Sequence, residues 1–162
     1  MTEKQFWKII KKSHGMFTKQ PEKHQLRLIR LLTKLPAKDI IAFDGHFSRF
    51  MDMANHWDLR GAAAIIYGND SQEFFSDFRG WLITRGKKPY YRVLRQPEYV
   101  RKLVKPYHSL DWVGFDAVSL EAYEQKTGKP LPAPNLIKGR VWKEADLPQL
   151  YPNLWKAFVE KR

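Results

Sequence analysis

Seven residues, Ile40, Phe43, Phe47, Phe50, Met51, Ala54 and Trp57, recur at three- and four-residue steps, and no other feature of the sequence narrows its fold as much. An α-helix turns once in about 3.6 residues, so this spacing gathers large apolar side chains on one stripe that must be covered. The stripe predicts a central helix over residues 39–57, the most buried element of the fold. Pro36 suits its first turn, where a missing N–H is no loss, and Asp39 meets the positive pole of its dipole.

Helical signals continue on both sides. Thr2 and Gln5 form a capping box that starts a first helix, with Phe6, Ile9 and Ile10 as its apolar side and Gly15 as its stop. After Pro21, Leu28, Leu31, Leu32 and Leu35 keep helical spacing opposite Lys23, Arg27, Arg30 and Lys34. Residues 59–67 continue as helix, and the small residues Gly61-Ala62-Ala63-Ala64 invite close approach of another backbone. Gly68-Asn69-Asp70 is a turn; Asp70, with Glu73 at the matching position, is the expected cap of the next helix, whose apolar face is Phe74, Phe75, Phe78, Trp81 and Leu82. Lys87-Lys88-Pro89 opens a short basic helix with Tyr90, Tyr91 and Leu94 on one side, and Pro97 opens another that reaches Lys105. Ser119 is the expected cap of a helix to Thr127 closed by Gly128. Residues 130–134 hold three prolines and form a loop. The last expected helix carries Leu147, Leu150, Leu154, Trp155 and Phe158, to dock on the body. No period-two strand, repeat or linker appears, so the reading is all-α: one compact helical domain, 1–162, with a loop-rich C-terminal part.

At 162 residues such a domain buries roughly 70% of its unfolded surface. The absence of cysteine removes disulfides, thiolate metal sites and thiol nucleophiles. The longest apolar run, residues 62–67, is far short of the roughly 20 residues that cross a bilayer, so no membrane association is expected. The N-terminus is charged where a signal peptide would be apolar, which predicts a cytoplasmic protein.

Charge is the other distinctive property. The formal net charge is +12, and it is uneven: residues 1–34 carry nine basic and two acidic side chains, residues 85–105 eight and one, and residues 35–84 four and seven. In the second block Lys87, Lys88, Arg92, Arg95, Arg101 and Lys102 make a candidate basic surface. Such blocks serve as solvated helix faces, as a steering surface for an acidic protein partner, or as a footprint for nucleic-acid phosphates. Tyr90 and Tyr91 beside Arg92 and Arg95 are also placed to stack on exposed bases.

No Gly-rich phosphate loop, zinc spacing or nucleophile elbow occurs, so no catalytic residue, cofactor or metal is assigned. Asp52 and His56 make the one pair at metal-ligand spacing on a helix, a spacing that exposed pairs share. Two segments look alike, Asp58-Leu59-Arg60-Gly61-Ala62 and Asp77-Phe78-Arg79-Gly80-Trp81. Their acids and arginines either pair to hold helices in register, with Arg79 held by Asp58, Asp77 or Glu73, or form a polar pocket in which Arg60 and Arg79 grip an anion. The tryptophans, Trp57, Trp81, Trp112, Trp142 and Trp155 among them, read mostly as core.

Four segments together resemble a family: Phe6-Trp7, Trp57-Asp58-Leu59-Arg60-Gly61-Ala62-Ala63, Phe75-Ser76-Asp77-Phe78-Arg79-Gly80-Trp81-Leu82-Ile83, and Ala122-Tyr123-Glu124-Gln125-Lys126-Thr127-Gly128. With the ending from Asp146-Leu147-Pro148 to Leu154-Trp155, they are similar to the bacterial domain-of-unknown-function family DUF4240 over nearly the whole chain. The resemblance implies a compact, mostly helical domain without an established activity. By motif match it points to Asp58, Ser71, Glu73, Arg79 and Trp81 as positions of a shared ligand pocket. The chain departs from the family pattern at Arg60 and keeps only Glu73 of the two acids that end the preceding turn.

Three functions suit these residues. The leading one is a non-enzymatic interaction module, regulatory or toxin-neutralising, that docks on an acidic protein, which requires the two basic blocks to converge. The alternatives are a nucleic-acid-binding protein using the basic segments, and an enzyme or binder of an anionic small molecule at Asp58, Glu73 and Arg79, working by acid–base chemistry.

Overall fold

The computed structural model describes residues 1–14, 21–104, 114–133 and 143–159. All regular structure among them is helical, in α1 (Glu3–His14), α2 (Pro21–Thr33), α3 (Ala37–Met53), α4 (Trp57–Tyr67), α5 (Gln72–Thr84), α6 (Lys87–Arg95), a 3-10 segment Pro97–Lys102, a 3-10 turn Phe115–Ala117 and α7 (Val118–Thr127). The chain divides into two compact units, Met1–Pro132 and Ala133–Arg162. Gly15, Lys105, Trp112, Pro134 and Trp142 lie outside the described residues.

The predicted starts and stops hold where they are local. The Thr2 N–H donates to Gln5 Oε1 at 2.7 Å and the Gln5 N–H to Thr2 Oγ1 at 3.3 Å, closing the capping box. Gly68 and Gly128 end α4 and α7 in the left-handed region, at φ 78° and 68°. Phe6 and Ile10 are buried as expected, and so is Trp7, whose ring lies 4.6 Å from that of Phe50. In α2 the buried set is His24, Leu28, Ile29 and Leu32; Leu31 is only half-buried.

The central helix differs from its prediction in length and rank. Ile40, Phe43, Phe47 and Phe50 are buried, but α3 ends at Met53 and Trp57, 77% exposed, begins α4 in a new phase. The last carbonyls of α3 are bound from other helices: the Tyr90 hydroxyl donates to Phe50 O at 2.6 Å, beside the Ala54 N–H at 3.1 Å, and the Arg79 guanidinium donates to Met51 O at 3.0 Å. With α3 ending at Met53, Asp52 and His56 do not share a helix. His56 is instead the N-cap of α4, its Nδ1 accepting from the Asp58 N–H at 3.3 Å. The helix buried on every side is α5, in which residues 78–84 are all buried.

Three further expectations are corrected. Ser71, not Asp70, caps α5, its Oγ accepting from the Phe74 N–H at 3.4 Å, because the Asp70 carboxylate is bound to Arg60 Nε at 2.7 Å. Ser119 lies inside α7 rather than before it, and its hydroxyl donates to Asp44 Oδ1 at 2.6 Å, tying α7 to α3. Gly61 admits no close neighbour either, since a methyl group there would meet nothing within 4 Å.

The second unit holds a 3-10 turn, Glu144–Asp146, followed by α8 (Leu147–Leu150) and α9 (Pro152–Phe158). The expected last turn or helix is thus two short helices. Pro152 pushes the residue before it out of the helical region, and Tyr151 sits at φ −135°, ψ 58°.

Candidate functional site

The N-terminal ends of α1 and α6 meet through an acid with two cationic partners. Glu3 Oε1 lies 3.0 Å from Lys87 Nζ, and Glu3 Oε2 lies 2.8 Å from the guanidinium of Arg49 on α3. The bonds from Lys87 and Arg49 hold the Glu3 carboxyl down to about 2. Beneath it Trp7 packs on α6, its ring 5.6 Å from Tyr90 and 6.4 Å from Tyr91. The first basic block is thus fastened to the second.

Around this junction the surface is basic. Helix α1 exposes Lys4, Lys8, Lys11 and Lys12, and α6 exposes Lys87, Lys88, Arg92 and Arg95. Lys4, Lys8 and Lys11 stand at helical spacing, as do Lys88, Arg92 and Arg95, so each helix presents one cationic stripe. Arg101 and Lys102 in the 3-10 segment are also exposed. The tyrosines among these cations are already covered: Lys87 Nζ lies 5.9 Å from the centre of the Tyr91 ring, while Arg92 and Lys102 approach that of Tyr99 to 4.3 and 5.7 Å.

The residues matched by family motif do not gather in one pocket. The Asp58 side chain is 73% exposed and lies 3.5 Å from His56 Nδ1. Ser71 is spent as a cap and Glu73 is exposed in the first turn of α5. Trp81 is core, with the Arg85 guanidinium 5.2 Å from its ring. Arg79 is buried against the end of α3, 4.7 Å from the centre of the Phe75 ring, and donates to the Met51 carbonyl rather than to Asp58, Asp77 or Glu73. The reason is geometric: on a helix an acid two residues before an arginine points to another side. Arg60 likewise reaches past Asp58 to Asp70 and to Gln72 Oε1, the latter at 3.2 Å, and closes the α4–α5 hairpin. A cleft of about 290 Å³ beside that hairpin is lined by Asn55, His56, Trp57, Arg60, Gln72 and Phe75.

The boundary of this helical unit agrees with sequence comparison. A family model described as a protein of unknown function (DUF4240) matches residues 1–125. The chain belongs to this family. The DUF4240 match takes in both basic blocks and the α4–α5 hairpin, whereas the similarity expected at residues 146–155 lies beyond it. Neither a curated protein nor a solved structure matches the chain.

Proposed function

We propose that this DUF4240 member is a binding module that docks on an acidic protein surface through the cationic stripes of α1 and α6. The observation that carries the reading is the Glu3 junction, where Lys87 of the second block meets the first at 3.0 Å. Two cationic stripes on helices whose N-terminal ends are joined would make a field that steers an acidic partner and suppresses basic ones. The same charges suit nucleic-acid phosphates, but the covered tyrosines favour the protein reading. A base stacking on Tyr99 would have to displace Arg92, which lies over the ring at 4.3 Å.

The test compares poly-L-glutamate with a mixed-sequence DNA duplex, each titrated at about 150 mM salt against the full chain and against a Lys88→Glu, Arg95→Glu double variant. The acidic polypeptide is expected to bind with an affinity that falls as salt rises, and the double variant to lose at least about tenfold. Duplex affinity is expected to be micromolar or weaker, the non-specific level. A duplex bound more tightly than polyglutamate would transfer the assignment to nucleic acid, and no binding of either would end it.

A further inference from the structure

Where the C-terminal ends of α1 and α5 meet the first turns of α2, three nitrogens are buried without a partner: His14 Nε2, His24 Nδ1 and Arg85 Nε. His24 is fully buried and forms the floor of the group, its ring 5.6 Å from that of His14, while His14 and Arg85 are partly exposed. The protonation of the floor follows from its bonds. Ser13 donates its hydroxyl to Ile10 O at 2.7 Å, so its Oγ can only accept from His24 Nε2, 3.0 Å away. His24 therefore carries its proton on Nε2 and presents a bare lone pair at Nδ1.

Arg85 adds an uncompensated charge. Its guanidinium donates to Thr84 Oγ1 at 3.1 Å and lies over Trp81, but among the described residues no carboxylate pairs with it. Burial alone brings its pKa down to about 10. The groups acting on His24 are all cationic or able to become so: Arg85 from α5, His14 from α1 and Arg27 on its own helix. Phe115, packed on its ring at 5.1 Å, offers only carbon. A buried cation and two imidazoles, with no anion among them, are what a protein would hold ready for an anion.

We propose that Arg85, His14 and His24 bind a small tetrahedral oxyanion of the phosphate or sulfate class, with Arg85 as the fixed cation and the imidazoles as donors. The Nδ1 lone pair of His24 would repel such an ion, so binding must bring a proton onto the ring. The affinity then rises as pH falls, by up to about tenfold per pH unit for each proton taken up. The site uses none of the lysines and arginines of the cationic stripes, although His14 follows Lys11 by three residues on α1, and its occupancy does not depend on the docking reading.

Sulfate is the probe of choice, because its charge stays constant between pH 6 and 8 while that of inorganic phosphate does not. Histidine side-chain ¹⁵N resonances of the full chain are followed during a sulfate titration, with chloride matched in ionic strength as the control. Sulfate should shift the His14 and His24 signals beyond the chloride control, and bind more tightly at pH 6 than at pH 8. Arg85→Met should abolish the shift, and Arg85→Lys, which keeps charge but not the planar fork, should weaken binding severalfold. His14→Gln, at a partly exposed position, should reduce the proton uptake. Glycerol phosphate in a parallel titration separates the sources: tighter binding than sulfate marks a phosphomonoester ligand, weaker binding a free ion. Shifts no larger than those from chloride, equal affinity at the two pH values, or undiminished binding by a folded Arg85→Met protein would each overturn the proposal.

Discussion

Arg79 and Arg85 leave the same helix, lie over aromatic rings at 4.7 Å (Phe75) and 5.2 Å (Trp81), and each keeps a buried Nε without a partner. Their other contacts diverge. Arg79 reaches 28 residues back along the chain to Met51 O, where α3 has no basic residue in its last turn, and Asp52 adds a favourable field. It acts as the cation that a helix C-terminus favours, delivered from another element. Among the described residues Arg85 bonds its neighbour Thr84 and has two imidazoles near it. Two arginines in similar aromatic settings thus do different things: one completes a helix end, and the other is a charge with no carboxylate partner among the described residues.

The largest effect that follows is at Arg79. Arg79→Ala strips Met51 O of its charged donor and uncovers Phe75, and a hydrogen bond from a charged group contributes about 1.5–3 kcal/mol. A loss of roughly 2–3 kcal/mol is expected, read as a fall in melting temperature of about 5–10 °C for a domain of this size. Arg79→Lys should fall as well, by less, because an ammonium carries the charge without the planar face that lies on Phe75. An unchanged melting temperature for both would dissolve the contrast from the Arg79 side.

An intermediate effect marks the surroundings of Arg85. Burial, with Arg85, His14 and Arg27 nearby, holds the His24 pKa down to about 3 from its ordinary 6.5. Below pH 6.5 the unfolded chain binds a proton there that the folded chain refuses, so stability is present above that pH and is lost as pH falls. The slope approaches about 1.4 kcal/mol per pH unit at most. Denaturant melts between pH 6.5 and 5 lie above the window in which Glu3, lowered from 4.5 to about 2, makes its own contribution. Over that range His24→Gln should flatten the dependence, while Arg79→Ala should keep it. A slope equal in the native and His24→Gln proteins would show that the imidazole floor is not the pH-sensitive part.

These two arginines also show what the sequence could and could not display. Periodicity reports which side of a helix is covered, and so the stripe from Ile40 to Phe50 and the apolar residues of α5 were legible. Capping chemistry is local, and the Thr2 box, Gly68 and Gly128 were legible for that reason. The end of α3 was not, because no glycine or proline marks it and the groups that hold its carbonyls, Tyr90 and Arg79, come from 40 and 28 residues away. Asp70 looked like a cap until Arg60 took it. The basic blocks were legible as composition, whereas the Glu3–Lys87 contact that joins the starts of their helices was not. For the imidazole cluster one signal existed: His24 stands one turn before Leu28, on the apolar stripe of a helix otherwise read for its cations. Nothing in the sequence joins it to Arg85.

The smallest effect is the most discriminating one, and it concerns Arg85. A buried ion without a counter-charge adds desolvation cost and little attraction, and replacing such a group by an apolar side chain of similar reach is commonly neutral or stabilising. Methionine is unbranched and can follow the same path over Trp81, keeping the packing while removing the charge. It would give up the bond to Thr84 Oγ1, but that hydroxyl still donates to Trp81 O at 2.6 Å and is not left unsatisfied. In sulfate-free buffer, Arg85→Met should therefore melt within about 2 °C of the native protein, or above it, a change of about 0.5 kcal/mol or less in the destabilising direction. A fall comparable to that of Arg79→Ala would mean that the fold itself answers the Arg85 charge, and the contrast between the two arginines would be lost. A native-like melt in Arg85→Met would leave the charge with no structural task, which is the condition under which a ligand is the reason for its presence.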